Sequence, residues 1–309
     1  TVGDPQRLRM LYILTFADMR AVGPGVLTGW QAAILHELYR RTLARLTGGR
    51  EDKPNRTQLV ERLREVVADD VPLQAVKAHV AMVPERYLAN TSVQRMAEHL
   101  RLIARLESAP VATEIFHHPD LGTSAFVVVT RDVPGLFALI AGTLAAYGVN
   151  ITSAQIATRA DGIAIDTFQV NDPAGEVVTA RAAWNRVVDA LRAVLAGEQS
   201  VPALLARRQR GGGAEANGFG RPRILVDNRL SDADTVIEVK CADRLGLLYL
   251  ITRTLSTEGL DIASARIATE IDQAYDTFYV HDRAGRKLAE PEATDRIRQT
   301  LESALTQPV

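Results

Sequence analysis

The sequence predicts an α+β protein: an all-helical segment over residues 1–110, then two copies of one small unit that mixes strands and helices. Three observations carry this. Residues 1–110 place apolar side chains at helical spacing and show no strand signal. After residue 120 the texture changes to runs of β-branched residues. Finally, the stretch 131–175 returns from Asp243 onward with about half of its aligned positions unchanged, far beyond chance and the strongest signal in the chain.

In the helical segment, Leu8, Leu11, Leu14 and Phe16-Ala17 follow a helical period until the run Ala21-Val22-Gly23-Pro24-Gly25 breaks it. A second helix opens after Thr28, an N-cap by type, carries Trp30, Ile34, Leu38, Thr42 and Leu46, and stops at Gly48-Gly49. Further helices fit 55–68, 72–82 and 91–107, with Pro84 and Pro110 as breaks.

The first repeat unit, residues 121–197, opens on the strand run 124–130. A helix starts at Gly135 with Leu136, Leu139, Ile140 and Leu144 on one face; strands near 150–158 and 162–170 follow, and a helix over 177–196 closes the unit. Residues 198–222 are expected to be a linker, flexible from Arg207 to Arg221 by its glycines and charges. The second unit, 223–309, repeats the order over 235–305, and Ile224-Leu225-Val226-Asp227 just before that repeat is available as an edge strand. In both copies the order is strand, helix, strand, strand, helix, which makes a small antiparallel sheet with both helices on one face; the second has almost no chain left after Leu305 for a closing strand. A half-covered sheet of that size is marginal alone, so pairing of the two units or dimerisation is expected.

Composition narrows the function. The 309 residues are 47% hydrophobic and 24% charged, which excludes a disordered or fibrous chain. Lys+Arg 36 against Asp+Glu 37 leaves −1, so nothing in the charge balance favours nucleic acid. No apolar run reaches the roughly 20 residues that a bilayer requires, so no membrane partner is expected. One cysteine, Cys241, permits no internal disulfide and suits a reducing, cytoplasmic location. The chain starts at Thr1 with a helical pattern a few residues on, which reads as a segment of something longer.

The candidate site is the strand-to-helix turn of each unit. In the first it reads Thr130-Arg131-Asp132-Val133-Pro134-Gly135-Leu136. Free backbone N–H groups at the helix start, with a glycine permitting close approach, suit a small carboxylate. Asp132 would attract an ammonium group, and Asn150 adds an amide. The same residues also read as an N-cap, turn chemistry and a turn asparagine. The residues by themselves leave both readings open.

The turn Asp132-x-Pro134-Gly135-Leu136-Phe137 and the later Asn150-Ile151 resemble the signature of ACT domains, the regulatory amino-acid-binding modules. That resemblance implies a ferredoxin-like βαββαβ order for each unit and a ligand at Asp132, Val133, Pro134, Gly135, Leu136 and Asn150. The second unit departs from it: Leu245 stands for the proline and Asp261 for the asparagine, so its equivalents Asp243, Gly246, Leu247 and Asp261 are the weaker candidate.

Further upstream, Leu11-Tyr12-Ile13-Leu14-Thr15-Phe16-Ala17-Asp18-Met19-Arg20-Ala21, then Gly23-Pro24-Gly25-Val26 and Trp30, resembles the end of the HD domain in bacterial PII uridylyltransferase/uridylyl-removing enzymes, the GlnD family. Pro84-Glu85-Arg86-Tyr87-Leu88 with His99, and Asp227-Asn228, are similar to the same family. The resemblance implies that the chain is the C-terminal third of such an enzyme, which uridylylates the PII protein when glutamine is scarce and removes the group when it is plentiful. It implies L-glutamine as ligand, PII as partner of the full enzyme, and Mg or Mn as the full enzyme's metal. The alternative reading is a stand-alone tandem-ACT sensor without catalysis. An ACT-mediated dimer is a further implication.

Asp18 would be the last HD metal ligand, an oxygen donor on the helical face of Leu11 and Leu14; the other reading pairs it with Arg20 or the glycine turn. Its upstream partners and the transferase motif lie outside this sequence, so no complete catalytic set and no bound metal are expected in this chain. His36, His79, His99, His117, His118 and His281 lack zinc spacing, His117-His118 reading as a loop pair. Arg207, Arg208 and Arg210 read as a solvated linker cluster.

Overall fold

Caps and prolines set the helix boundaries in the first third of the chain. The Asn55 side chain accepts from the N–H groups of Thr57 and Gln58 and starts a helix at Arg56. Pro72 and Pro84 each precede a helix, and Ser92 Oγ accepts from the Arg95 N–H at the next. In the computed structural model, which describes residues 3–22, 35, 38–39, 42–43, 45–46, 55–68, 70–119, 122–210, 221–270, 273–288 and 290–306, these become α1 (Pro5–Val22), α2 (Arg56–Val67), α3 (Leu73–Met82), α4 (Glu85–Asn90) and α5 (Val93–Arg105). The break expected at Pro84 is thus the start of a short helix. The second expected helix is helical at the described positions 35, 38–39, 42–43 and 45–46; Thr28, Trp30, Ile34 and both glycine breaks lie outside the described residues.

The first unit comprises β1 (Val111–His118), β2 (Thr123–Arg131), α6 (Leu136–Ala146), β3 (Asn150–Thr158), β4 (Ile163–Asn171) and α7 (Arg181–Leu195). After α8 (Val201–Arg210), the second comprises β5 (Arg223–Asp227), β6 (Thr235–Ala242), α9 (Leu247–Thr257), β7 (Leu260–Arg266), the two-residue β8 (Thr269–Glu270), β9 (Gln273–Asp282) and α10 (Pro291–Thr306). The α+β class holds, but the order differs at one edge of each unit. The position beside the first long strand, which a βαββαβ order fills last, is taken by the strand that opens each unit: β1 lies on β2 and β5 on β6. That strand was readable at 224–227 and missed at 111–118.

All strands form one antiparallel sheet in the order β1-β2-β4-β3-β7-β9-β6-β5, with β8 on β9. The expected pairing of units therefore occurs inside the chain, at β3–β7, where Ser153, Ala154 and Gln155 face Arg266, Ala265 and Ser264. Helices α6, α7, α9 and α10 cover one face through Phe126, Phe168, Phe278, Ile140 and Ile251. Helices α2–α5 cover the other face of the first unit through Val127, Val129, Ile163 and Ile165. Consequently β2 is buried on both sides, whereas β6 leaves Glu238 and Lys240 exposed.

The helical layer and α8 also bridge the two units. Arg86 of α4 pairs with the buried Asp234 at 2.7 Å and donates to Ser264 Oγ at 2.9 Å, both in the second unit. Helix α8 is the other bridge. The expected linker is helical up to Arg210, and Val201, Leu204 and Leu205 are buried against Ala138, Ala190, Val194 and Tyr249. Residues 211–220 of that linker lie outside the described residues.

Candidate functional site

Each turn folds as its glycine requires. Gly135 and Gly246 sit just before α6 and α9 with φ of 75° and 79°, a left-handed backbone that a side chain resists. The first turns of α6 and α9 thereby open toward solvent-accessible clefts between the two units.

The structure does not bring the predicted residues together as the single-unit reading has them. Asp132, Val133, Pro134, Gly135 and Leu136 line one cleft of about 710 Å³, and the strand that faces them is β7 of the second unit, with Asp261. Asn150 lies elsewhere. With Asp243, Gly246 and Leu247 it lines the other cleft, of about 800 Å³. The cause is the β3–β7 seam: it turns one unit by half a revolution relative to the other, so each turn looks at the start of its neighbour's strand. Asp261, the substitution thought to weaken the second site, therefore stands in the first.

At the floor of each cleft lies an aspartate from the repeat that the turn-based reading passes over. Asp166 and Asp276, on β4 and β9, are 1% and 2% exposed, and each has an Oδ1 without a hydrogen-bond partner. Burial, then the neighbouring Asp132, pushes the Asp166 carboxyl well above the usual range. Burial, then Asp243, pushes Asp276 up to about 8. Asp132 is raised by its own burial and next by the charge of Asp261. The matching Asp-Thr-Phe of the two copies was the available signal.

The second cleft also holds a guanidinium. Arg208 of α8 lines it and approaches Gly148 so closely that a Cβ there would sit 2.7 Å from Arg208 Nη2. Sequence reasoning placed Arg208 in a solvated linker, because the three apolar residues that dock α8 are too few to read as a helix.

The remaining candidates fall outside the clefts. Asp18 is exposed on α1, as are Leu11 and Leu14 beside it, so no buried carboxylate exists there. Among the described residues no group of three or more His, Cys, Asp or Glu side chains is placed to hold a metal ion. His117 and His118 end strand β1 rather than forming a loop: His117 Nδ1 meets Ser124 Oγ at 2.9 Å, and Arg95 Nη2 lies 2.8 Å from His118 Nε2. His79 and His99 are buried and share the Tyr87 hydroxyl, at 3.1 and 2.7 Å. No helix among the described residues is long and apolar enough to cross a membrane.

The paired clefts lie in two regions of the chain that match ACT-type domain models. Residues 123–182 match the ACT domain family, and residues 223–309 match the ACR9-like, ACT-like domain. Along its whole length the chain is similar to bifunctional uridylyltransferase/uridylyl-removing enzymes. The enzyme of Gluconobacter oxydans is 35% identical over 99% of this chain, and that of Rhodospirillum rubrum 34% identical over all of it. The chain spans about a third (33%) of the length of each. Among solved structures, a double-ringed trimeric microcompartment shell protein is 15% identical over 64% of this chain and 88% of its own, with a TM-score of 0.20 that carries no argument.

Proposed function

We propose that this chain is the regulatory portion of a uridylyltransferase/uridylyl-removing enzyme acting on the PII protein, and that its ACT pair senses L-glutamine. One observation carries the reading: each cleft is built jointly by the two units, a helix start from one and a strand start from the other. A ligand bridging such a cleft favours one angle between the units, which is how a small molecule shifts a conformational equilibrium. The stand-alone sensor is the second reading; the helical layer, fastened onto the first unit's sheet through Val127 and Val129, supports the enzyme-linked one.

On this reading the transferase and uridylyl-removing activities belong to the rest of the enzyme, and this chain regulates them. The test is the intact enzyme with PII, UTP and Mg or Mn, assayed with and without glutamine. Removing residues 111–309 is expected to abolish the response to glutamine; a response that persists overturns the proposal. In the same assay Asp18→Asn is expected to lower uridylyl removal while transfer persists, if Asp18 serves as an HD ligand; retention of both activities removes it from that role.

A further inference from the structure

We infer that the second cleft is the ligand site of the ACT pair and takes a free amino acid as its zwitterion, with Arg208 holding the carboxylate and Asp276 the ammonium group. The inference rests on the amino-acid-sensing reading above and adds to it the cleft, the two residues and the charge pattern of the ligand.

The charged groups of that cleft differ in what already occupies them. Asp172 is spent on its own turn, accepting from the N–H groups of Ala174 and Glu176 at 2.9 and 2.8 Å. Asp243 accepts from Thr269 Oγ1 at 3.3 Å, and Arg244 donates to the Leu305 carbonyl at 3.1 Å. Asp276 differs from both of these aspartates: it is buried, it lines the cleft, and its Oδ1 has no partner. An unpartnered buried carboxyl oxygen costs desolvation that only a donor restores, and a primary ammonium carries three. Arg208 supplies the complementary half. It reaches the cleft wall at Gly148 on the end of α8, and its planar fork matches a carboxylate. Asn150 adds a neutral amide beside it, with Nδ2 3.4 Å from the Asp172 carbonyl.

The first cleft contrasts in charge. It has a cation of its own, Arg283, but places Asp132, Asp166 and Asp261 together, with a carboxylate where the second has the Asn150 amide. Its other guanidinium, Arg86, is tied to Asp234 and Ser264. A ligand carboxylate is repelled there and drawn to the second cleft.

The experiment is calorimetric titration of the full chain with L-glutamine and a panel of other L-amino acids. The wild type is compared with Arg208→Gln, Asp276→Asn, Asp166→Asn and, as a neighbour on α8 outside the cleft, Arg207→Gln. Each of the first two is expected to weaken binding tenfold or more; the last two leave it unchanged. On the wild type, the glutamine analogue lacking the α-amino group is expected to bind at least tenfold more weakly, a comparison that needs no variant to fold. Should Asp276→Asn fail to fold, the exposed Arg208 carries the test. Glutamine binding lost in Asp166→Asn but kept in Arg208→Gln and Asp276→Asn overturns this inference and leaves glutamine sensing standing. Binding of another amino acid instead, dependent on Arg208 and Asp276, supports it and overturns the glutamine assignment. No amino acid binding overturns both.

Discussion

Ala154 and Ala265 occupy the same position in the two repeats, and they are register partners across the β3–β7 seam, each essentially without exposed surface. Equivalent residues meet in this way only about a twofold axis, and that axis is why Asn150 serves the second turn and Asp261 the first. The pairing leads to a first prediction. Replacing Asp261 by Asn should lower the Asp132 carboxyl pKa, because one of the two influences raising it is that charge across the seam. Carboxyl carbon NMR titration reads this directly. An unmoved Asp132 would mean that the two residues do not face each other.

Gly142 is the tightest point of the helical face. A Cβ there would meet Val201 Cγ1 at 2.2 Å and the Tyr249 ring at 3.0 Å. Gly142→Ala is therefore expected to destabilise the chain by about 1–3 kcal/mol, despite the better helix propensity of alanine. Thermal unfolding measures it; a rise in melting temperature would show that α8 is not docked against α6.

The two turn glycines should differ. Both substitutions to alanine meet the left-handed penalty of about 1–2 kcal/mol. At Gly246 the new Cβ also meets Leu205 Cδ1 at 2.9 Å, whereas at Gly135 the nearest atom is Ser256 Oγ at 3.5 Å. Gly246→Ala is expected to unfold at lower denaturant than Gly135→Ala, and the reverse order would contradict the packing of α8 on the second turn.

Acid should loosen the helical layer. His79 and His99 are held neutral, each with its pKa lowered to about 3, chiefly by burial and then by Arg159 and Arg95 respectively. In the unfolded chain both protonate near 6.5, so their contribution is complete above that pH and is lost as the pH falls toward 3. Circular dichroism of the chain between pH 7 and 4 should show falling stability. The triple variant His79→Leu, His99→Leu, Tyr87→Phe should flatten that slope; an unchanged slope assigns the acid sensitivity elsewhere.

Asp276 acts with the opposite sign. Its folded carboxyl, at about 8, binds a proton that the unfolded one releases near 3.8, so its contribution is fully present below that range and is lost as the pH rises through 8. Asp276→Asn should remove this loss. The same group predicts that an ammonium ligand displaces a proton at pH 7, so the calorimetric heat should vary with the ionisation enthalpy of the buffer in the wild type and not in the variant.

Much of this architecture was legible. The repeat located both units, and glycine spacing located both turns, because those features are local. The edge strand 111–118 was not: Thr113, Glu114, His117 and His118 interrupt its apolar alternation, and pairing with β2, rather than its own composition, makes it a strand. Helix α8 escaped notice because Val201, Leu204 and Leu205 are followed at once by arginines and glycines. The division of the site between units was invisible for a deeper reason. It depends on which strand edges meet, and three register pairs at a seam leave no trace in the spacing of either strand.

The contact from Arg86 to Asp234 and Ser264 acts as a lever arm. Helix α4 belongs to a layer seated on the first unit, yet its arginine grips the second, across the β3–β7 seam. Any tilt of one unit against the other lengthens or shortens that grip, so the angle between the clefts is registered as tension on a single side chain of the helical layer.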